Sequence, residues 1–283
     1  MNYARTSDFR KLCLPLFLSR RLGTYSHASV ARYCTRGLGI LVFLVALVAT
    51  SSGNCQEPPA KVGTTEKIAA KLKELGQFVA VYEEDGHQFV VVMLEVPSLE
   101  SLRLVNKLDH IDKLYVVKWK IGPQESKLLE KAPVNNLMLC WDCQFVKGDI
   151  RFLNKLKQVK HIEFRGCEID GGGLSDFPPD SQLEMIILMD CTLKNGGRLT
   201  LPEGLKEFDH LRLTNTNIDK TSFVAAMKQP AMGHAQFVNS GIEKEWLDEL
   251  DSVETTSLLV IRPRLPDKVK QDYKKKHPKA WLR

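Results

Sequence analysis

The residues with the most reactive spacing lie at Cys140-Trp141-Asp142-Cys143, a Cys-x-x-Cys near the middle of the chain. Two thiols at that spacing serve thioredoxin-type redox sites and make half of many zinc sites. Redox use needs a device that lowers one thiol pKa, commonly a helix starting at the first cysteine. A structural zinc site needs a second ligand pair. No helix signal starts at Cys140 and no second pair follows at zinc spacing. Structural burial is therefore the first reading, with a disulfide or redox role and a metal site as alternatives.

The other reactive side chains form no recognisable constellation. His87, His110, His161, His210, His234 and His277 are scattered, without a Ser or Cys partner at a known spacing. Gly171-Gly172-Gly173 has no following helix signal, so it reads as a loop rather than a phosphate cradle. No nucleophile elbow is present. The expectation is a non-enzymatic chain with no catalytic residue, cofactor or metal.

The elements that position these residues follow from a repeat. In His161–Ile169, the apolar residues Ile162, Phe164, Cys167 and Ile169 sit at offsets 0, 2, 5 and 7. This is a short period-2 strand followed by a turn that returns two more side chains to the same face. The offsets recur from Leu114, Met138, Ile186, Leu211, Ala235 and Leu258, so successive starts are 24, 24, 24, 25, 24 and 23 residues apart. Chance patterning does not hold such a period over seven copies, and a repeat architecture is expected.

The pattern resembles a divergent leucine-rich repeat, L-x-L-x-x-[N/C]-x-L, over about residues 90–265, and is similar to exported bacterial leucine-rich-repeat proteins. The fifth-offset residues are Trp119, Cys143, Cys167, Cys191, Thr216, Ser240 and Pro263, so the middle copies match best. In that family this position serves the backbone of the turn. The resemblance implies an α/β solenoid with a short curved parallel sheet, a mixed helix and coil convex side, and a protein-binding role. The register would stack Cys143, Cys167 and Cys191 at about the ~4.8 Å strand spacing. That separation is within disulfide reach, but parallel stacked side chains favour free thiols.

The candidate binding site is the sheet face opposite the core, expected to be concave. Strand residues at odd offsets point there, and an apolar band of Tyr115, Leu139, Trp141, Ile187 and Met189 is crossed by Glu163 and Arg165, with Arg212 beside it. An exposed patch of this kind marks an interaction surface, and Trp, Tyr, Met and Arg are its usual anchors. A protein partner is expected. The alternative reading is that a neighbouring copy or the N-terminal segment covers the patch.

Charge distribution argues against nucleic acid. The chain carries a net charge of +6, but residues 1–54 hold seven Lys and Arg against the single acid Asp8. Removing them leaves 40 − 7 = 33 basic and 34 − 1 = 33 acidic residues, a neutral body with no long-range pull on phosphates.

Within residues 1–54, a basic leader precedes the apolar run Leu38–Thr50 and the small residues Ser51 to Gly53. That order reads as a secretory signal peptide. The run is short for a membrane span of ~20 residues. The chain is expected to be exported (periplasmic, cell-surface or secreted), with a membrane anchor or a mitochondrial address as alternatives. Residues 55–63 read as a linker, 64–93 as a helix-and-hairpin cap, 94–265 as the repeats and 266–283 as a C-terminal cap helix.

Within the cap, Thr64 or Thr65 is the expected helix cap and Glu84-Asp85-Gly86 the hairpin turn. Helical convex segments are expected at Ser126–Lys131, Ile150–Lys157, Thr221–Lys228 and Glu243–Leu250, and coil at Asp170–Asp180 and Asn195–Glu203. Trp281 and Leu282 are expected to fold back on the last repeat. A membrane-tethered protein whose repeats self-associate, and a thiol redox protein using Cys140 and Cys143, are the alternative functions.

Overall fold

A computed structural model describes residues 63–283, except 206–207, 230–231, 251–256, 262, 264 and 283. The leader, the Leu38–Thr50 run and most of the linker lie outside the described residues. The described residues belong to one compact unit, 61–283.

Its first elements are helix α1 (Thr64–Glu74) and strands β1 (Phe78–Glu84) and β2 (His87–Glu95). Helix α1 buries Ile68, Ala69 and Leu72, the face its periodicity marks. Its cap is Gly63 rather than either threonine, and Thr65 turns inward instead. The two central turn residues Asp85 and Gly86 take φ of 53° and 76°, the left-handed pair a tight two-residue hairpin requires. Glu84 and His87 pair across it.

Helix α2 (Leu99–Val105) leads to β3 (Ile111–Val117) and the short β4 (Lys120–Ile121). Helix α3 (Pro123–Leu129) precedes β5 (Val134–Trp141) and β6 (Gln144–Phe145). A 3-10 turn at Arg151–Lys155 replaces the expected helix at Ile150–Lys157. Then come β7 (His161–Arg165), β8 (Glu168–Ile169), β9 (Met185–Met189) and β10 (Thr192–Leu193). The chain continues through β11 (His210–Thr214), α4 (Lys220–Met227), β12 (His234–Val238), α5 (Lys244–Asp248) and β13 (Leu258–Ile261). It ends with α6 (Asp267–Lys276) and β14 (Ala280–Leu282).

The architecture is α/β. A ten-stranded sheet runs β1-β2-β3-β5-β7-β9-β11-β12-β13-β14, antiparallel only between β1 and β2. A second, short sheet runs β10-β8-β6-β4. Each return segment carries the chain back to start a strand beside the last one, so neighbours in sequence are neighbours in space. The seven start residues named from sequence fall in one ladder, Leu114–Met138–Ile162–Ile186–Leu211–Ala235–Leu258. Two residues on, Val116, Cys140, Phe164, Leu188, Leu213, Phe237 and Val260 form the next row. Both rows are buried against return-segment side chains such as Leu129, Leu153 and Phe223. The Phe223 and Phe237 rings meet edge to face at 4.9 Å.

What ends β3, β5, β7, β9, β11 and β12 is a left-handed residue at offset four. Lys118, Asp142, Gly166, Asp190, Asn215 and Asn239 all have φ between 49° and 60°. Their amides donate to the next strand's last carbonyl, from Lys118 N to Trp141 O at 2.8 Å through Asn239 N to Ile261 O at 2.9 Å. Gly, Asn and Asp tolerate this conformation best. The side chains extend the ladder: Asn239 donates to Asn215 at 3.0 Å, and Asn215 to Asp190 at 2.7 Å.

Strand β2 joins the same scheme one copy before the sequence period shows it. Val92 and Leu94 align with Leu114 and Val116, and Val96 is left-handed at φ 44°. A β-branched residue there is strained, and Val96 is 65% exposed, so little packing is lost by replacing it. Val96→Asn should raise stability by about 1 kcal/mol through relief of the left-handed strain. Chemical denaturation reads the change, and a lowered midpoint would contradict it.

The C-terminal segment folds back on the last copy as a strand: Ala280–Leu282 adds to the sheet beside β13 with Ala280 and Leu282 inward, as expected for Leu282, whereas Trp281 is 59% exposed, a correction to the sequence reading. Among the described residues no helix is long and apolar enough to cross a membrane.

Candidate functional site

The parallel ladder places the candidate residues in two adjoining rows on the face opposite the core. The middle row runs Tyr115, Leu139, Glu163, Ile187, Arg212. The row beside it runs Val117, Trp141, Arg165, Met189, Thr214. All eight residues singled out from sequence are therefore brought into one patch. At a strand spacing of about 4.8 Å, neighbours within a row touch.

Two members differ from expectation in depth. Leu139 and Glu163 are only 3% and 5% exposed, not accessible contact residues. Leu139 is a short side chain flanked by Tyr115 and Glu163 in its row. The Glu163 carboxylate accepts from Arg165 Nε at 2.5 Å, and the Arg165 guanidinium stands 5.7 Å from the Trp141 ring centroid. Glu163 thus fixes Arg165, and Arg165 lies over Trp141, the geometry of a cation–π contact. Tyr115, Trp141, Arg165, Ile187, Met189 and Arg212 remain partly accessible. Arg212 Nε leans to Thr214 Oγ1 at 3.4 Å.

A third row holds His161, Met185, His210 and His234. Burial, and next the nearby His234, lowers the His210 pKa. The Glu184 carboxyl beside His161 is held below its usual range mainly by Lys160, whose amine donates to it at 2.9 Å.

The Cys-x-x-Cys lies on the core side. Cys140, Cys143, Cys167 and Cys191 are free and buried. The fifth-offset thiols bond carbonyls near the strand ends: Cys143 Sγ donates to Val116 O at 3.3 Å, Cys167 Sγ to Arg165 O at 3.2 Å, and Cys191 Sγ to Met189 O at 3.3 Å. Thr216 and Ser240 hydroxyls do the same toward Thr214 O and Val238 O. Hydrogen bonding with Cys143, reinforced by burial, raises the Cys140 and Cys167 pKa values, and the same contacts lower Cys143. Burial pushes Cys191 up to about 11. These thiols titrate as one set. Burial opposes charge on each of them.

Sequence spacing missed another cluster. His87 at the start of β2, His110 just before β3 and Asp112 within β3 bring one ligand atom each to within 4.8 Å of one another. The histidines that look scattered in sequence converge here because β2 and β3 pair in parallel, and 110 − 87 = 23 residues is close to one repeat.

No protein-family model matches the chain. A search of curated proteins returns no significant relative.

Proposed function

We propose that the chain is a divergent leucine-rich-repeat protein, non-enzymatic and exported, that binds a protein partner through the face of the long sheet opposite its core. In this reading α1 and the β1–β2 hairpin are the N-terminal cap of the solenoid. The shared strand register, the left-handed residue after β3, β5, β7, β9, β11 and β12 and the fifth-offset Cys, Thr and Ser side chains bonded to strand carbonyls support the repeat assignment. Residues 1–54 would export the chain, with anchoring through Leu38–Thr50 or a mitochondrial address as the alternatives. No cofactor and no nucleic acid enters this reading.

One observation carries the binding surface: Tyr115, Trp141, Arg165, Ile187, Met189 and Arg212 are contiguous across neighbouring strands, with Arg165 held over Trp141. A rigid aromatic and a guanidinium fixed by a buried carboxylate lose little side-chain freedom on binding, which is where affinity is otherwise lost. A second reading, association between copies, draws on the end strands, because β1 and β14 each pair on one side only among the described residues.

A photo-crosslinking residue placed at Ile187 in the full chain should give a discrete adduct with a partner in the producing cells. The same residue at Lys127, exposed on the return side in α3, should not. Trp141→Ala and Met189→Asp should remove the adduct while circular dichroism stays unchanged. Equal adducts from positions 187 and 127, or wild-type capture by both variants, would refute the surface. An adduct with the mass of two chains favours the second reading.

A further inference from the structure

Asp112 is an acid in an unusual place. Its side chain is 6% exposed, at the point where the β3–β5 pairing shifts register between Ile111 and Lys113. Irregularities of this kind turn a side chain away from its regular direction and gather near functional sites. One oxygen, Oδ2, accepts from Val90 N at 2.7 Å and ties β2 to β3. Among the described residues the imidazole partners of this carboxylate are His87, whose Nε2 is 3.3 Å from Oδ1, and His110, whose Nε2 is 3.6 Å from Oδ2. A buried carboxylate costs free energy unless a cation or several donors compensate it.

The surroundings add negative charge. Glu84 sits directly across the hairpin from His87. The Tyr82 pKa is raised by burial first, then by Glu84 and Asp112. His87 is held edge-on to Phe89 at 4.6 Å and near the His110 ring at 5.6 Å. His110 Nε2 donates to Gln88 O at 2.7 Å. With its hydrogen on Nε2, His110 would bind a cation through Nδ1, the other ring nitrogen being tied to a backbone carbonyl as in metal-binding histidines.

We propose that His87, His110 and Asp112 form a binding site for one divalent transition cation of the zinc type. Two nitrogens and one carboxylate oxygen match the three-ligand zinc pattern, with water completing the shell. Ligands bound at 2.0–2.1 Å in a tetrahedron lie roughly 3.4 Å apart, so the observed spread within 4.8 Å closes by small side-chain rotations. Calcium and magnesium prefer all-oxygen shells, and imidazole nitrogen selects against them. The ion would neutralise the buried carboxylate and clip the hairpin to the first parallel strand. That clip joins residues 87 and 112, far apart in sequence.

Zinc titrated into the metal-free full chain, followed by calorimetry and by thermal unfolding, tests the site. Wild type should bind one equivalent that is lost, or weakened at least tenfold, in both His87→Ala and His110→Ala. Zinc should raise the wild-type unfolding midpoint and leave both variants unmoved. Circular dichroism in EDTA establishes that the variants fold, which the exposure of His87 makes undemanding. Cobalt bound in place of zinc should show ligand-field bands without a thiolate charge-transfer band, separating this site from the cysteines. Wild-type chain that binds no zinc, variants that bind it as wild type does, a thiolate band, or equal binding of magnesium would each overturn the assignment.

Discussion

Phe164→Ala should cost about 3–5 kcal/mol of unfolding free energy, the range for emptying a buried aromatic site. The ring is fully buried, lies between Cys140 and Leu188 in its row and meets Phe145 edge to face at 5.7 Å. Each repeat is stabilised chiefly by its neighbours, so the gap loosens the copies on both sides as well as β7. Against a typical domain stability of about 5–15 kcal/mol, that is a large share. Urea unfolding should show a markedly lower midpoint. Met189→Ala on the opposite face should cost about 1 kcal/mol or less, since its side chain is only partly buried. Comparable losses from both variants would mean that the two faces are not distinguished as the register requires.

Spacing alone reveals the strands because burial on one side leaves a period-2 signature, and the turn returns Cys167 and Ile169 to the same face in every copy. The same arithmetic names the rows that hold Tyr115, Trp141 and Met189. It does not give depth. Alternation says which way Glu163 and Leu139 point, whereas their burial depends on neighbours across the ladder, above all Arg165 bending onto Glu163. The left-handed row of Asp142, Gly166, Asp190, Asn215 and Asn239 could have been found, since those residue types at one fixed offset are a turn signal. The cluster of His87, His110 and Asp112 was harder. It needs the parallel pairing of a hairpin strand with β3 and the register shift at Asp112, neither of which periodicity encodes. The return segments divide on similar grounds. Lys220–Met227 has enough apolar residues to pack as a helix, while Arg151–Lys155 closes into a tighter turn. Strand β14 is three residues long, too short for alternation to register.

The adjacent glycines after β10 should separate two costs that usually travel together. Gly196 and Gly197 both have left-handed φ, 73° and 94°. A side-chain carbon at Gly196 would meet nothing within 4 Å, whereas one at Gly197 would lie 2.9 Å from Asp219 N and 2.9 Å from Ile218 C. Those atoms are backbone of the next return segment, held by the Asp219 N to Gly197 O hydrogen bond at 2.9 Å, and they cannot swing aside. Gly196→Ala should therefore cost only the conformational penalty, about 1 kcal/mol. Gly197→Ala adds an overpacking cost of about 1–3 kcal/mol, for a total of roughly 2–4 kcal/mol. The damage should also be local. Asp219 caps α4 by accepting from Ser222 N at 2.7 Å, so displacing it frays that helix, and hydrogen exchange in α4 should speed up in Gly197→Ala and not in Gly196→Ala. Equal destabilisation by the two substitutions would show that neighbouring return segments are not packed backbone to backbone, and the stacking of successive copies would then need another cause.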